Sequence, residues 1–410
     1  MNHKTTFLAL DLGTTTLAGY LLDSENRILA RKSIQNPQKA QGLDVISRLE
    51  AASKGNGRKL QTLLADGIRD LVTALAHDAD VRIDSIQAAA AAGNSAISAL
   101  LCGRDVTPLL LPPHRLPSAE GIQIRPSDLD LGLPAPLFLF PLAGGFVGGD
   151  LVAFLYAQAP EQTPAMYLDI GTNGELALFT GEKWLVTSVA AGPAFEAAGI
   201  TWGMAAANGA IEGAYLADDR LRITTIGKSP PRGICGSGVA EIIAAGLNSG
   251  LVEPTGTIRR AEEIETNLAY HIRESLEGRS LSIFRNAETD IYLSQQDIRS
   301  FQLAKGAIRA GIECLLAKAA LQPAAIRRTY VTGAFGLSIR KEVLKTVAML
   351  PPKMLDNVVF VADGVLEGVR HFLFAPDGHA ELHKLAKALV PFPLSGTPAF
   401  EKAFLQALDF

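Results

Sequence analysis

Closely spaced cysteines are missing from this chain. Its 410 residues hold three, Cys102, Cys235 and Cys314, with no CxxC pair. An iron–sulfur cluster needs several closely placed thiolates, usually four, so none is expected in this chain. The seven histidines show no HExxH or similar metal pattern. Long apolar runs are also absent. No stretch approaches the roughly 18–20 residues of a membrane span, and Ala88 to Ala92 is too short and too weakly apolar. Met1 to Thr6 leads directly into a strand-like run without an apolar leader and small-residue cleavage site. The expectation is a cytoplasmic chain with no membrane partner. Nor does charge of one sign accumulate. Thirty-eight Lys and Arg face 42 Asp and Glu, and pairs such as Arg259-Arg260 and Arg327-Arg328 read as solvated faces. Nucleic acid is therefore not an expected partner. What remains is a chain with 48% hydrophobic residues, enough to build a substantial core. At roughly 150 residues per domain its length suggests two or three domains.

One short pattern occurs twice. Asp11-Leu12-Gly13-Thr14-Thr15-Thr16 follows the apolar run Phe7 to Leu10, and Asp169-Ile170-Gly171-Thr172-Asn173-Gly174 follows Ala165 to Leu168. Each reads as a buried strand, an acid, a tight glycine turn and a second strand, Leu17 to Leu22 or Glu175 to Phe179. Glycine lets the backbone bend and approach an oxyanion. Successive backbone N–H groups and hydroxyls make an anion-binding concavity. The strand-end aspartates suit a hydrated magnesium ion, which takes few carboxylates and keeps its waters. A single copy is more simply an ordinary turn. Two copies 158 residues apart point to two phosphate loops facing a cleft.

The remaining organisation follows from periodicity. Residues 7–34 read as a three-strand meander turning at Asp23 to Asn26. Residues 44–53 and 58–77 read as helices, the second with Leu60, Leu63, Leu64, Ile68, Leu71, Val72 and Leu75 at helical spacing. Val81 to Ala92 leads into a buried strand, and Ala92-Gly93-Asn94-Ser95 turns into a helix ending near Leu101. The segment from Pro108 to Pro141 reads as a long apolar connection with short strands. Gly144 to Asp150 opens a helix reaching Gln158. The second half restarts at Ala165 and runs through a Gly/Ala-rich stretch, Ala190 to Gly213, and a hairpin around Asp218-Asp219. Gly233-Ile234-Cys235-Gly236-Ser237-Gly238 then opens the helix Val239 to Leu247. Residues 294–320 contain a long helix with Ile298, Leu303, Ala307, Ile308, Ile312 and Leu315 on one side. Tyr330-Val331 is a strand entering Thr332-Gly333-Ala334-Phe335-Gly336, and a last helix opens near Gly364.

Several residues carry two readings. Gly233 to Gly238 offers a helix N-terminus to a phosphate or ribose, or only allows close helix packing. Thr332 to Gly336 is a nucleoside contact or an ordinary strand-to-helix turn. Asp150 caps its helix or orients a water. Glu196 faces the cleft or solvent. Cys235 is most simply a small buried hydrophobe, and Asn94 reaches the cleft or stabilises a turn.

Taken together and in this order, these segments resemble the actin-like ATPase superfamily of sugar kinases, actin and heat-shock chaperones. Within it the chain looks like the reductive activators of corrinoid proteins. The matching runs are Asp11 to Ala18, Asn36-Pro37-Gln38, Gly42 to Arg48, Ala92 to Ser95, Gly148 to Asp150 and Asp169 to Glu175. Ala191 to Glu196, Gly233 to Gly238, Gln302 to Glu313 and Gly333 to Gly336 complete the set. The resemblance implies an α/β, duplicated actin-like ATPase (ribonuclease H-like) fold with two domains flanking a nucleotide cleft. The expected division is 1–158, 159–385 and a C-terminal tail, 386–410. Connecting helices would start at Gly148 and Gly364.

The implied chemistry is ATP-driven reduction of a corrinoid protein from Co(II) to Co(I). Family members usually carry a fused iron–sulfur domain, which this chain lacks; the electron donor is then a separate ferredoxin or flavodoxin-like protein. ATP and Mg2+ are the expected cofactors, and a homodimer is compatible with the family. Asp11, Asp169, Asp150 and Glu196 are the candidate catalytic acids, with Asp11 and Asp169 holding the hydrated magnesium. Gly13, Thr14, Thr15, Thr16, Gly171, Thr172, Asn173 and Gly174 would contact phosphates. Gly236, Ser237, Gly333, Ala334, Phe335 and Gly336 would approach the nucleoside. Two other readings stand beside this one. A small-molecule kinase would use Asp150 as base toward an acceptor hydroxyl. A filament-forming scaffold would polymerise without catalysis, which nothing in the surface composition suggests.

Overall fold

Two apolar runs around Gly13 form adjacent strands at the centre of a sheet. The computed structural model describes residues 5–111, 114, 120–159, 161–217, 220–276, 278–333 and 339–410. Contacts divide the chain into two units. The first is drawn from residues 1–162, 181–187 and 363–392; the second from 163–180, 188–362 and 393–410.

In the first unit β1 (Thr6–Leu12), β2 (Thr16–Asp23) and β3 (Ile28–Gln35) form the antiparallel meander. The Asp23 carboxylate accepts from the N–H groups of Glu25 and Arg27, at 2.9 and 3.0 Å, and so closes the turn. α1 (Val45–Ala51) opens on a reciprocal Asp44–Ser47 capping box. Gly55 makes the turn to α2 (Gly57–Asp78) with φ 100°, which favours glycine. α2 buries Leu60, Leu64, Ile68, Leu71, Val72 and Leu75 along one stripe. β4 (Ile86–Gly93) pairs parallel with β1, and α3 (Ser95–Leu101) follows it. The connection beyond α4 (Thr107–Leu110) contains β5 (Ile122–Ile124) and β6 (Leu137–Leu139), then α5 (Gly149–Ala157). Strand order is β3-β2-β1-β4-β6-β5.

The second unit begins with β7 (Ala165–Ile170) and β8 (Gly174–Phe179), and the chain continues through β9 (Trp184–Val189). β10 (Ala210–Ala217), β11 (Arg220–Thr225) and β12 (Gly233–Ile234) make a small sheet under α6 (Gly236–Asn248). The hairpin tip at Asp218-Asp219 lies outside the described residues. β13 (Ile272–Ser275), β14 (Gly278–Arg285) and β15 (Asp290–Ser294) make a second small sheet before α7 (Gln295–Lys318). β16 (Arg328–Gly333), α8 (Lys341–Thr346) and β17 (Val358–Phe360) close the series. β7 pairs antiparallel with β8 and parallel with β16, and β16 pairs parallel with β17. β1 has the same surroundings, an antiparallel hairpin on one side and the parallel β4 and β6 on the other. The duplication is thus visible in strand topology.

The chain then returns to the first unit with α9 (Gly364–Phe374), α10 (Gly378–Ala388) and β18 (Leu389–Pro391), which pairs parallel with β9. α9 packs on α5, β1 and β4. α11 (Pro398–Gln406) packs on α7 in the second unit.

Two expectations need correction. The helix at Gly364 is followed by two more. α10 and α11 have sparse apolar faces, with Leu382 and Ala386 the buried apolar side chains of α10. Their positions come from docking, as when Gln302 Nε2 donates to the Leu408 carbonyl at 2.9 Å and buried Lys305 to that of Asp409. The second correction is Leu303, which is 50% exposed while Phe301, Gln302, Ala304 and Lys305 are buried. At 100° per residue Leu303 falls away from the Ile298 side, and α7 is covered there by α11, β8 and the turn at Pro193–Glu196. No helix among the described residues is long and apolar enough to cross a membrane.

Candidate functional site

The acid of each turn is the penultimate residue of its strand. Asp11 lies between Ala18 of β2 and Ala92 of β4, and Asp169 between Glu175 of β8 and Thr332 of β16. Both are half-buried. In the first unit the Gly13 N–H donates to the Thr16 carbonyl at 3.0 Å, and a Cβ on Gly13 would sit 2.7 Å from that oxygen. Only glycine closes the turn this tightly. Buried Asn36 holds it from behind, its Nδ2 donating to the Gly13 carbonyl and its N–H to the Thr15 carbonyl, each at 2.9 Å. Asn36 Oδ1 accepts from the Gln38 N–H, and Arg48 donates to Gln38 Oε1 and the Gly42 carbonyl. Burial pushes the Arg48 guanidinium down to about 10. Asn36, Gln38 and Arg48 therefore support the turn, a role that their spacing in sequence does not reveal.

Asn94 is the N-cap of α3, its Oδ1 accepting from the Ile97 N–H at 3.0 Å, while its Nδ2 donates to Thr14 Oγ1 at 2.9 Å. Asn94 serves both as a cap and at the turn. Gly148 packs against it, since a Cβ there would lie 2.4 Å from Asn94 Cα and 2.6 Å from Asp150 Oδ1. The N-cap of α5 is Gly148, so Asp150 is not the cap; it stands in the first turn, where its Oδ1 accepts from the Leu151 N–H at 2.8 Å. Burial pushes its carboxyl up to about 6. The folded state then binds more protons than the unfolded chain between about pH 4 and 6, so the ionised carboxylate destabilises the fold above that window. Asp150→Asn should melt at a higher temperature than the parent at pH 8, by about 2–6 °C for about 1–2 kcal/mol. The difference should vanish at pH 4. Equal melting temperatures at pH 8 would contradict it.

In the second unit the Gly171 N–H donates to the Asn173 carbonyl at 3.1 Å, and the Gly192 N–H to the Thr172 carbonyl at 2.9 Å. Thr172 Oγ1 donates to Glu196 Oε1 at 2.8 Å. Glu196 Oε2 is buried without a hydrogen-bond partner, and burial holds the carboxyl above its ordinary value. A carboxylate in this state calls for a donor. Glu196 ends the short turn Pro193–Glu196, which Gly236 braces. A Cβ on Gly236 would fall 1.7 Å from the Phe195 carbonyl oxygen, and Ser237 is buried next to it in α6. Cys235 is buried, its thiol donating to the Ile211 carbonyl at 3.2 Å. Gly333 has φ 96°, and its Cβ would meet the Ile170 carbonyl at 2.3 Å and Asp169 Oδ1 at 2.6 Å. Ala334, Phe335 and Gly336 lie outside the described residues. Among the described residues no three His, Cys, Asp or Glu side chains gather as a metal set.

Each unit thus offers a half-buried strand-end acid beside a glycine turn; a Cβ on Gly13 would press on the Thr16 carbonyl oxygen at 2.7 Å, whereas one on Gly171 would meet the Asn173 carbonyl oxygen and Glu196 Oε1 at an ordinary 3.5 Å. That chemistry fits phosphate and a water-bound cation better than a closed metal cage. Residues 163–410 match the family model described as the C-terminal domain of RACo, the ASKHA domain, and residues 7–162 match the RACo middle region. The chain is 28% identical over 415 residues to the corrinoid activation enzyme RamQ of Eubacterium limosum, with 98% of this chain and 70% of that protein covered. It is 23% identical over 386 residues to a Co(II) methylated amine-specific corrinoid protein reductase of Methanosarcina barkeri, covering 84% and 65%. The solved structure of a reductive activator for a corrinoid, iron-sulfur protein superposes with a TM-score of 0.91 at 28% identity, over 100% of this chain and 67% of that one. The chain spans about two thirds of the length of these relatives.

Proposed function

The chain belongs to the RACo family, with the ASKHA, actin-like ATPase fold, and from that premise we propose that it reductively activates a corrinoid protein. One electron takes the partner's cobalt from Co(II) to Co(I), and ATP binding and hydrolysis drive the transfer. The observation that carries this reading is the pair of acid–glycine–threonine turns at equivalent strand ends, in a chain similar along nearly its whole length to a corrinoid activation enzyme. The kinase reading has less support, because the full-length similarity is to corrinoid activators.

In the proposed site Asp11 holds waters of a magnesium ion, and Asp169 has the same place in the second unit. Bound magnesium would offset phosphate charge. Gly13 and Gly171 let backbone N–H groups come close to phosphate oxygens, with Thr14, Thr15, Thr16, Thr172, Asn173 and Gly174 around them. Gly236, Ser237 and Gly333 to Gly336 are proposed at the nucleoside. Catalysis is then mainly positioning and charge stabilisation. Nucleotide state alters affinity for the corrinoid protein only if the states bind it differently. The electron is proposed to come from a ferredoxin or flavodoxin-like donor, in the cytoplasm.

The test mixes the purified chain with a Co(II) corrinoid protein, a low-potential reductant and Mg-ATP, and follows Co(I) by absorbance. ATP-dependent Co(I) formation is expected. ATP hydrolysis that never changes cobalt, whichever corrinoid protein is supplied, would overturn the activator reading and return the question to phosphoryl transfer.

A further inference from the structure

α11 buries none of its side chains, yet the segment that follows it is gripped by one face of α7. Buried Gln302 donates through Nε2 to the Leu408 carbonyl at 2.9 Å and to the Thr255 carbonyl at 3.0 Å. Lys305 is fully buried and donates to the Asp409 carbonyl. The Phe410 ring lies 5.0 Å from its Nζ, within the range of a cation–π contact. The Phe410 N–H donates to the Pro254 carbonyl at 2.8 Å. The segment lies close on α7 at Gly306, where a Cβ would sit 3.3 Å from Leu408 Cδ2. Phe301 continues the line inward. Its ring is 6.4 Å from that of Phe410 and meets Phe195 edge to face at 5.7 Å. Phe195 and Phe301 are both fully buried, and Phe195 precedes Glu196 in the Pro193–Glu196 turn. All these groups belong to the second unit.

We propose that Leu408–Phe410 is a strap that closes over Lys305 and, through Phe301, positions the turn carrying Glu196, so that lifting the strap slows ATP turnover. This rests on the ATPase reading above. α11 offers little apolar burial to hold the segment down, so the grip falls to Gln302, Lys305 and Phe410. A fully buried lysine normally has a charged partner, and among the described residues Lys305 has a carbonyl and a ring instead. Burial, helped by Arg309 of the same helix, pulls its ammonium down to about 8, while Asp409 of the strap acts in the opposite direction. On the adjoining loop Glu253 is paired with Arg259 at 3.9 Å, and Arg299 donates to the Thr255 carbonyl and to Gln302 Oε1. Lifting the strap returns Lys305 to water and to its ordinary value of 10.5. The closed strap therefore binds fewer protons between about pH 8 and 10.5, and closure strengthens as pH rises across that window. Below it, the desolvated charge opposes closure in full and keeps the strap releasable.

The test reads the strap and the turnover separately on the full chain. Hydrogen–deuterium exchange gives a protection factor for residues 408–410, and ATP hydrolysis with Mg2+ gives kcat and KM. In the parent the protection factor should rise about tenfold from pH 7 to pH 9. Lys305→Met keeps the length of the side chain without its charge, and its profile should be flat over the same range. Phe410 is only half-buried, so its truncation leaves the fold in place. Phe410→Ala removes the ring that covers Lys305 and backs Phe301; protection should fall about tenfold. With the turn no longer held, kcat should fall about tenfold, with KM within about threefold of the parent. Phe410→Tyr keeps the ring and should restore both. Parental kcat in Phe410→Ala, with protection lost, would overturn the positioning role. A parental rise with pH in Lys305→Met would remove Lys305 from the strap. A parental chain that hydrolyses no ATP overturns the ATPase reading and the turnover effect with it, a result that the exchange profile keeps distinct from failure of the strap.

Discussion

Replacing Gly368 with alanine should lower the stability of the first unit by about 3 kcal/mol or more, and valine should leave little folded protein. α5 and α9 cross at this residue. A Cβ there would lie 1.8 Å from the Ala153 carbonyl oxygen, 2.4 Å from its carbonyl carbon and 2.9 Å from its Cα. All three are backbone atoms, so no side chain can rotate out of the way. Close C–H···O contacts are normally about 3.3–3.6 Å, so the helices must separate by more than about 1 Å. Overpacking of this kind usually costs about 1–3 kcal/mol, and more where the neighbour is rigid. α9 also rests on β1 and β4, and its first turn is tied down because Asp363 accepts from Tyr20 at 2.7 Å and from Arg31 at 2.8 Å. The strain therefore has little room to relax. Thermal melting should show a drop of about 6–12 °C for alanine; an unchanged melting temperature would show that the crossing yields.

Asp11→Asn should abolish measurable ATP hydrolysis, a loss of about a hundredfold to a thousandfold or more, without loss of fold. The change is isosteric, and Asp11 sits between two small neighbours, Ala18 and Ala92. Only the charge is removed. A preorganised charge that acts on a transition state in a site of this kind is typically worth 10²–10³ in rate, or about 3–4 kcal/mol. Asp169→Asn should behave the same way, because Asp169 stands at the same point of the second turn. ATP-dependent Co(I) formation should fall with hydrolysis. Full ATPase activity in either variant, with melting unchanged, would remove that aspartate from the magnesium role.

Much of this architecture was legible because its signals are local. The three-strand meander, the helix carrying Leu60 to Leu75 and both glycine turns depend on alternation, helical spacing and glycine within a few residues. The strand Ile86–Gly93 was readable despite its alanines, which favour helix. Its burial between β1 and β6 and under α9 overrides propensity. Leu303 was misplaced because α7 is covered on more than one side, so its pattern of apolar residues has no single stripe. The role of Asp150 was also undecided in sequence, where an acid after glycines suits a cap as well as a burial-perturbed carboxyl.

The sequence by itself determined the acid–glycine–threonine turns, their repetition and the strands that carry them, since backbone bending and apolar burial act between near neighbours. Only the tertiary structure decided which donor or acceptor each turn residue meets. Asn36 reaches back to Gly13, Asn94 to Thr14 and Glu196 to Thr172. Each bond joins residues separated by 23 to 80 positions. Hydrogen-bond direction depends on where a folded partner's atoms lie, and residue spacing along a chain carries no record of that.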